Sequence, residues 1–167
     1  MKKQVFSLLV NNNTGLLSRV AGLFSRRGYN IDSITSGTTM DKSRTRITVV
    51  ATGDVQILSQ IEKQLVKLED VIDIKILKDG ESVCRELIML KVKANAAQRA
   101  EIVAVADIFR AKIVDVETES LMLEMTGNLS KVEAFLNLMS GYEILELART
   151  GITGLSRGAD GVFDTEA

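Results

Sequence analysis

Hydrophobic and polar positions alternate with two different periods along the first half of the chain. Period-two alternation predicts four strands, at Gln4–Val10, Asn30–Thr39, Arg44–Thr52 and Val71–Leu77. Helical spacing between them predicts two helices. The apolar stripe of the first is Leu17, Val20, Ala21 and Phe24, widened by Leu16 and Leu23, and that of the second is Leu58, Ile61, Leu65 and Leu68. The order strand–helix–strand–strand–helix–strand predicts a ferredoxin-like βαββαβ unit, an antiparallel four-stranded sheet with both helices on one face.

The second half of the chain repeats this order without evident sequence identity to the first. Its predicted strands are Glu86–Ala94, Lys112–Glu117, Leu121–Thr126 and Ile144–Ala148, and its predicted helices are Ala97–Arg110 and one with Leu129, Val132, Leu136 and Met139 as its stripe. The pattern predicts an α+β protein with two tandem ferredoxin-like βαββαβ domains. We place the first domain at residues 1–78, a polar linker at 79–85, the second domain at 86–150 and a glycine-containing tail at 151–167.

The ends of the first helix carry recognisable turn residues. Asn13 or Thr14 is expected to cap its N-terminus, and Gly28 is expected to end it in the left-handed conformation. Arg19 and Arg26 fall outside the apolar stripe, where a solvated face is expected. In the second domain, Asn128 and Ser130 compete as caps of the last helix.

The first domain is expected to pair with a second copy. Its sheet has no helices on one face, yet the strands carry more apolar residues than an exposed face should show, namely Val5, Leu9, Ile34, Ile47 and Val49. An uncovered apolar sheet face or edge is normally buried by another copy or another domain. The pattern therefore predicts a dimer.

Composition narrows the classes of function. The 167-residue chain is 46% apolar and 26% charged, and its net charge of −1 offers no basic surface for nucleic acid. No uncharged apolar run approaches a membrane span, and Gln4–Val10 is too short for a secretory signal, so a cytoplasmic location is expected. The absence of histidine excludes Ser-His-Asp triads and histidine metal sites, and the single Cys84 cannot form an internal disulfide. We expect no catalytic residue and no metal site.

The stretch Asn11–Gly15 is the strongest candidate for a ligand site. Three amides and a glycine lead from an apolar strand into a helix, and Asn30 opens the next strand. If the two strands share one sheet, Asn12 and Asn30 are expected near the same helix N-terminus, where N–H groups bind a carboxylate and amide oxygens bind an ammonium group. A capped turn without a ligand is the alternative explanation of the same residues.

The segment from Asn12 to Ser33 reads Asn-Asn-Thr-Gly-Leu-Leu-Ser-Arg-Val-Ala-Gly-Leu-Phe-Ser-Arg-Arg-Gly-Tyr-Asn-Ile-Asp-Ser. It resembles the small, regulatory subunit of acetolactate synthase (acetohydroxyacid synthase). The resemblance covers essentially the whole chain and continues in shorter motifs, which are Ile61–Leu65, Lys67-Leu68, Arg85-Glu86-Leu87, Phe109-Arg110-Ala111, Arg149-Thr150-Gly151 and Gly154–Gly158. The helix motif and the tail motif together are specific to this family.

The resemblance implies an N-terminal ACT domain, a ferredoxin-like module that binds amino acids, with a second ferredoxin-like domain behind it. It implies a homodimer that binds a branched-chain amino acid at its interface. It also implies a partner, the large catalytic subunit, which carries thiamine diphosphate, magnesium and FAD, whereas this chain carries no cofactor. In this family the small subunit activates the catalytic subunit and makes it sensitive to valine. The ligand-binding positions of the family fall on Asn12, Gly15 and Asn30, and a position that affects feedback falls on Gly37.

The loop and the resemblance together define a ligand set for valine or a similar amino acid: Asn12, Asn13, Thr14, Gly15, Leu16, Leu17, Asn30 and Ile31. Backbone N–H groups around Thr14–Leu16 are expected to bind the carboxylate. Leu17 and Ile31 are expected to contact the isopropyl group, with the other protomer contributing. The loop departs from the family at Asn11, which is often acidic, and at Thr14, which is often Pro or Ser. Both departures bear on which branched-chain amino acid is preferred.

Three other functions share parts of this pattern. A stand-alone amino-acid sensor that regulates another system would share the ACT half, but it would not need the motifs at residues 149–158. An RRM-type RNA binder shares the βαββαβ order, yet Arg44–Thr52 lacks the stacking aromatics of that module. An autonomous small enzyme would need an acid–base pair, and no such constellation is visible.

Overall fold

The computed structural model describes residues 1–159 and 161. The chain divides into two compact units. The first comprises Met1–Val83 together with the described residues from Ile152 onward, and the second comprises Cys84–Gly151. This partition assigns the end of the chain to the first unit, whereas the sequence pattern treats residues 151–167 as a separate tail.

The first unit has the element order that the sequence predicts. Its elements are β1 (Lys2–Asn11), α1 (Leu16–Arg26), β2 (Ile31–Thr38), β3 (Arg44–Gly53), α2 (Val55–Val66) and β4 (Val71–Leu77). The strands form one sheet in the order β2-β3-β1-β4, and every neighbouring pair is antiparallel. The prediction of a ferredoxin-like α+β fold is confirmed for this unit.

The core of the first unit lies between the sheet and its two helices. Strand residues such as Phe6, Leu8 and Val49 pack there against the helix residues Leu16, Val20, Leu23, Phe24, Leu58, Ile61 and Leu65. The predicted stripe of α1 is wrong at two positions, because Leu17 is 49% exposed and Ala21 is also exposed. The helix begins directly at Leu16, and the buried set therefore follows Leu16 at intervals of four, seven and eight residues.

The opposite face of the sheet is less exposed than the sequence pattern suggests. Leu9 and Val50 are 2% and 1% exposed in the chain although neither belongs to the helix-side core, and Ile47 and Val49 belong to that core. The expected dimer therefore cannot be argued from an open apolar face. Strand β2 gives a different reason to expect a dimer, because among the described residues it has one strand neighbour, β3. An edge strand presents unpaired backbone groups to another chain.

The second unit repeats the topology. Its elements are β5 (Ser82–Lys93, whose first two residues belong to the first unit), α3 (Ala96–Phe109), β6 (Lys112–Val116), β7 (Ser120–Gly127), α4 (Leu129–Met139) and β8 (Ile144–Arg149), and the sheet order is β6-β7-β5-β8. Strand β5 begins at Ser82, inside the predicted linker. Asn128 rather than Ser130 caps α4, because its side chain accepts from the Lys131 N–H.

An ion pair between a buried carboxylate and a partly exposed guanidinium joins two of the sequence motifs in the second unit. Glu86 is 3% exposed, and its two carboxylate oxygens accept from Nε and Nη2 of Arg149 at 2.8 and 2.9 Å. The hydrogen bond to Glu86 raises the pKa of the Arg149 guanidinium. The motifs around residues 85–87 and 149–151 are thus two halves of one structural contact between β5 and β8.

The end of the chain returns to the first unit as a strand, β9 (Thr153–Ser156). Thr35 Oγ1 donates to the Ile152 carbonyl at 3.5 Å, and the Arg157 N–H donates to the Glu81 carbonyl at 2.8 Å. Backbone pairing thus orders part of the predicted tail, which has little apolar side-chain material. The remainder of that prediction, position 160 and residues 162–167, lies outside the described residues. In the part of the chain that the structure describes, no helix is long and apolar enough to cross a membrane.

Candidate functional site

The loop between β1 and α1 ends in a helix N-terminus that has no side-chain cap. Gly15 occupies the cap position with a left-handed backbone, φ +80°, and no side chain accepts from the first turn. The prediction that Asn13 or Thr14 caps this helix is therefore wrong. Leu16 N–H donates to the Asn13 carbonyl at 3.3 Å, while within residues 1–159 no acceptor is found for the N–H groups of Leu17 and Ser18. Open N–H donors at a helix N-terminus favour an anion.

A network of three side chains holds this loop. The Asn13 amide donates to Asp70 Oδ1 at 2.8 Å, and Arg19 Nε donates to Asp70 Oδ2 at 2.6 Å. The same guanidinium donates through Nη1 to the Thr14 carbonyl at 3.2 Å. The two hydrogen bonds to Asp70, of which the one from Arg19 has the larger effect, hold the pKa of the Asp70 carboxyl below its ordinary value of 3.8. Arg19 is therefore a loop-positioning residue, although the sequence pattern placed it on a solvated face.

Asn12 ties the loop to the turn between β2 and β3. Its backbone N–H donates to the Ser43 carbonyl at 2.8 Å, and its side-chain amide donates to the Lys42 carbonyl at 3.3 Å. The side-chain oxygen of Asn12 accepts from no group in the described chain, so it is available to an ammonium group.

The apolar members of the predicted ligand set have different environments. The Leu16 side chain is 5% exposed and lies in the helix-side core, so only its backbone borders the loop. Leu17 is half-exposed beside Gly15, and Ile31 is half-buried at the start of β2. Leu17 and Ile31 are therefore the side chains of the set that can contact an aliphatic ligand.

Asn30 and Ile31 lie at the other end of the sheet, contrary to the expectation that Asn12 and Asn30 share one helix N-terminus. The separation between the two ends can be counted along strand β3, where Arg44 pairs with Asn11 and Ala51 pairs with Ile31. Seven positions along a strand correspond to about 23 Å at roughly 3.3 Å per residue. The reason is that β1 and β2 run in the same direction, so the last residue of β1 and the first residue of β2 lie at opposite ends of the strands.

The side chain of Asn30 is exposed, and its amide donates to Asp32 Oδ1 at 3.1 Å. The oxygen of its side-chain amide, like that of Asn12, accepts a hydrogen bond from no group within the described ranges. The predicted ligand residues thus fall into two separate groups, which we call half-sites: the loop Asn12–Leu17, and Asn30 with Ile31.

Sequence reasoning missed two residues that position the loop. Arg19 stands four positions after Gly15, a spacing that places it on the same side of the helix, and this signal was present in the sequence. Asp70 is 57 residues from its partner Asn13, and no local pattern reveals such a pair. Within the described residues, no three of the acidic and cysteine side chains lie close enough together to hold a metal ion.

Comparisons with known proteins cover both units. Residues 6–73 match the family described as AHAS small subunit-like ACT domain, and residues 85–158 match the family described as small subunit of acetolactate synthase. The probable acetolactate synthase small subunit of Methanothermobacter thermautotrophicus is 47% identical over 156 residues, which are 93% of each chain. The acetolactate synthase small subunit of Haemophilus influenzae is 43% identical over 162 residues, 96% of this chain and 99% of that one.

A solved structure supports the same assignment. The crystal structure of the acetolactate synthase small subunit from Thermotoga maritima superposes with a TM-score of 0.87 at 38% identity, and the match covers 96% of this chain and all of that one. Identity at this level along nearly the full length of several relatives shows common ancestry of both units. The chain belongs to the family of acetolactate synthase small subunits.

Proposed function

We propose that this chain is the feedback regulator of acetolactate synthase in valine, leucine and isoleucine biosynthesis. It activates the large catalytic subunit and makes that subunit sensitive to a branched-chain amino acid, with valine as the first candidate. The proposal assigns thiamine diphosphate, magnesium and FAD to the catalytic subunit, and none of them to this chain. Family membership supports the regulatory role, and the loop geometry supports an amino-acid effector.

The observation that carries the proposal is the uncapped N-terminus of α1. The open N–H groups of Leu17 and Ser18, together with the positive end of the helix dipole, suit the carboxylate of an amino acid. The free amide oxygens of Asn12 and Asn30 suit its ammonium group, and Leu17 and Ile31 suit its aliphatic side chain. Each part of a zwitterion with a branched apolar group has a matching partner.

Two copies of the chain are needed to bring these parts together. A two-fold axis beside β2 pairs this edge strand with its copy in antiparallel direction, so that the Ile31 end of one lies beside the Thr38 end of the other. Thr45 on β3 pairs with both Thr38 and Val10, so the Thr38 end of β2 lies at the same end of the sheet as the loop Asn12–Leu17. Such a homodimer brings Asn30 of one protomer toward the loop Asn12–Leu17 of its partner, twice.

Calorimetry with valine, isoleucine and leucine tests the effector, and reconstitution with the catalytic subunit tests its consequence. We expect valine to bind the chain and to inhibit the reconstituted enzyme, and Asn30→Ala to weaken both. Asn137→Ala is the matched control, because Asn137 is an exposed asparagine on α4 in the second unit. Binding of none of the three amino acids would contradict the proposal, as would equal effects of the two substitutions.

A further inference from the structure

A basic cleft in the first unit involves none of the predicted ligand residues. It has a volume of about 240 Å³ and is lined by Lys75, Ile76, Lys78, Glu81, Ser156 and Arg157. These residues come from β4, from the turn that follows it and from the end of β9. The tail motif Gly154–Gly158, which contributes no residue to the proposed effector site, supplies two of them.

Local structure fixes where the cleft residues lie. Lys75 pairs with Ser7 of β1, while its neighbours Ile74 and Ile76 pack against the helix-side core, so Lys75 lies on the helix-free face. The turn after β4 is closed by a hydrogen bond from the Glu81 N–H to the Lys78 carbonyl at 3.2 Å.

The backbone of the tail is attached to the same turn. The N–H of Arg157 donates to the Glu81 carbonyl at 2.8 Å, so the guanidinium of Arg157 extends from an anchored backbone. Substitution of the Arg157 side chain leaves this hydrogen bond in place.

Within the described residues, the positive charges of the cleft exceed the negative ones. Lys75, Lys78 and Arg157 carry three positive charges against the single carboxylate of Glu81, and between residues 1 and 159 none of these side chains forms an ion pair. Other cations of the chain do pair, as Arg19 does with Asp70 and Arg149 with Glu86. The cleft therefore holds an excess of two positive charges, which attracts a dianion.

We propose that this cleft binds a small phosphate-bearing anion, best fitted by a diphosphate group. Phosphate oxygens accept several charge-assisted hydrogen bonds at once, and the lysines, Arg157 and the Ser156 hydroxyl supply several donors. A volume of about 240 Å³ equals roughly eight water molecules at about 30 Å³ each, which leaves room for more than one phosphate group. The carboxylate of Glu81 repels anions, and an anion of low charge therefore binds weakly.

The test is calorimetric titration of the full-length chain with sodium diphosphate, inorganic phosphate and malonate at constant ionic strength. We expect one saturable site per chain that prefers diphosphate to phosphate and phosphate to the dicarboxylate. Amide NMR shifts at Ser156 and Arg157 should identify the site. Shifts confined to Thr14–Leu16 would overturn the proposal, because they would place the anion at the α1 N-terminus instead.

Two substitutions of opposite sign sharpen the test. Arg157→Gln should weaken diphosphate binding about tenfold, since one charge-assisted hydrogen bond is lost, and Glu81→Gln should strengthen it. Lys63→Gln removes the same charge from an exposed position on α2 and should change nothing. Absence of saturation, equal weakening by Lys63→Gln, or weakening by Glu81→Gln would each overturn the proposal.

Discussion

Two variants that each lose valine binding should regain it when they are combined in one dimer. In the proposed site, Gly15→Asp disables the loop half-site and Asn30→Ala disables the other half-site. If every site takes its loop from one protomer and Asn30 from the partner, a mixed dimer contains one site with both changes and one site with neither. Loops and asparagines from the same chain would give two damaged sites.

The structure sets the size of each single effect. Asn30→Ala removes a hydrogen bond to a charged ligand, worth about 1.5–3 kcal/mol, or roughly 10- to 100-fold in affinity. Gly15→Asp acts more strongly, because a non-glycine residue at φ +80° costs about 1–2 kcal/mol. Its Cβ would stand 3.2 Å from Arg19 Nη1, so the new carboxylate would compete with Asp70 for that guanidinium and repel the ligand. Gly15→Ala imposes the backbone cost without the charge and separates the two effects.

The assay uses two affinity tags to purify the mixed dimer, followed by calorimetry with valine. We expect about one valine per mixed dimer with the affinity of the unmodified chain, and correspondingly about a quarter of the sites intact in an unfractionated equimolar mixture. A mixed dimer without any high-affinity site would refute the shared site. Failure of the two tagged chains to co-purify would refute the dimer itself.

Three further outcomes follow from the contacts around the loop and in the second unit. Arg19→Lys keeps the charge but cannot bridge Asp70 and the Thr14 carbonyl, so valine affinity measured by calorimetry should fall about three- to tenfold, about 0.7–1.4 kcal/mol, without loss of fold. The pKa of Asp70 is lowered in the folded state, so its stabilisation is complete above the ordinary value of 3.8 and is lost as the pH falls through the lower value. The difference in urea unfolding between the unmodified chain and Asp70→Asn should therefore shrink from about pH 6 to about pH 3. Arg149→Ala leaves the buried Glu86 carboxylate unpaired and should cost about 1–3 kcal/mol in urea unfolding, a moderate value because Arg149 is 38% exposed, and adding Glu86→Gln should recover part of it.

The fold was predictable because its signals are local and periodic. Every predicted strand and helix is present, with ends shifted by a few residues, and the left-handed Gly28 that ends α1 is confirmed at φ +69°. The burial of Leu9 and Val50 on the helix-free face was not predictable, since a strand pattern does not reveal what covers its second face.

The loop Asn12–Leu17 was predicted in composition, but its position relative to Asn30 was not. Placing Asn12 and Asn30 together ignored that α1 lies between them and runs back along the sheet, over about 16 Å for its 11 residues at roughly 1.5 Å each. That error was avoidable from the element order alone. The Arg19–Asp70 contact was not, because a pair 51 residues apart arises only from tertiary packing.

The attachments of the loop connect the proposed effector site to several strands of the sheet. Asn12 holds the loop to the β2–β3 turn, and the Asn11 N–H donates to the Asp70 carbonyl at 2.8 Å, directly before β4. The geometry of the open N–H groups at α1 therefore depends on three strand ends at once. A ligand regulates only if it binds one state of an assembly better than another, and the coupling is reciprocal. If the proposed function holds, a change that the catalytic subunit imposes on this end of the sheet and that alters effector affinity is matched by an equal effect of the effector on that association.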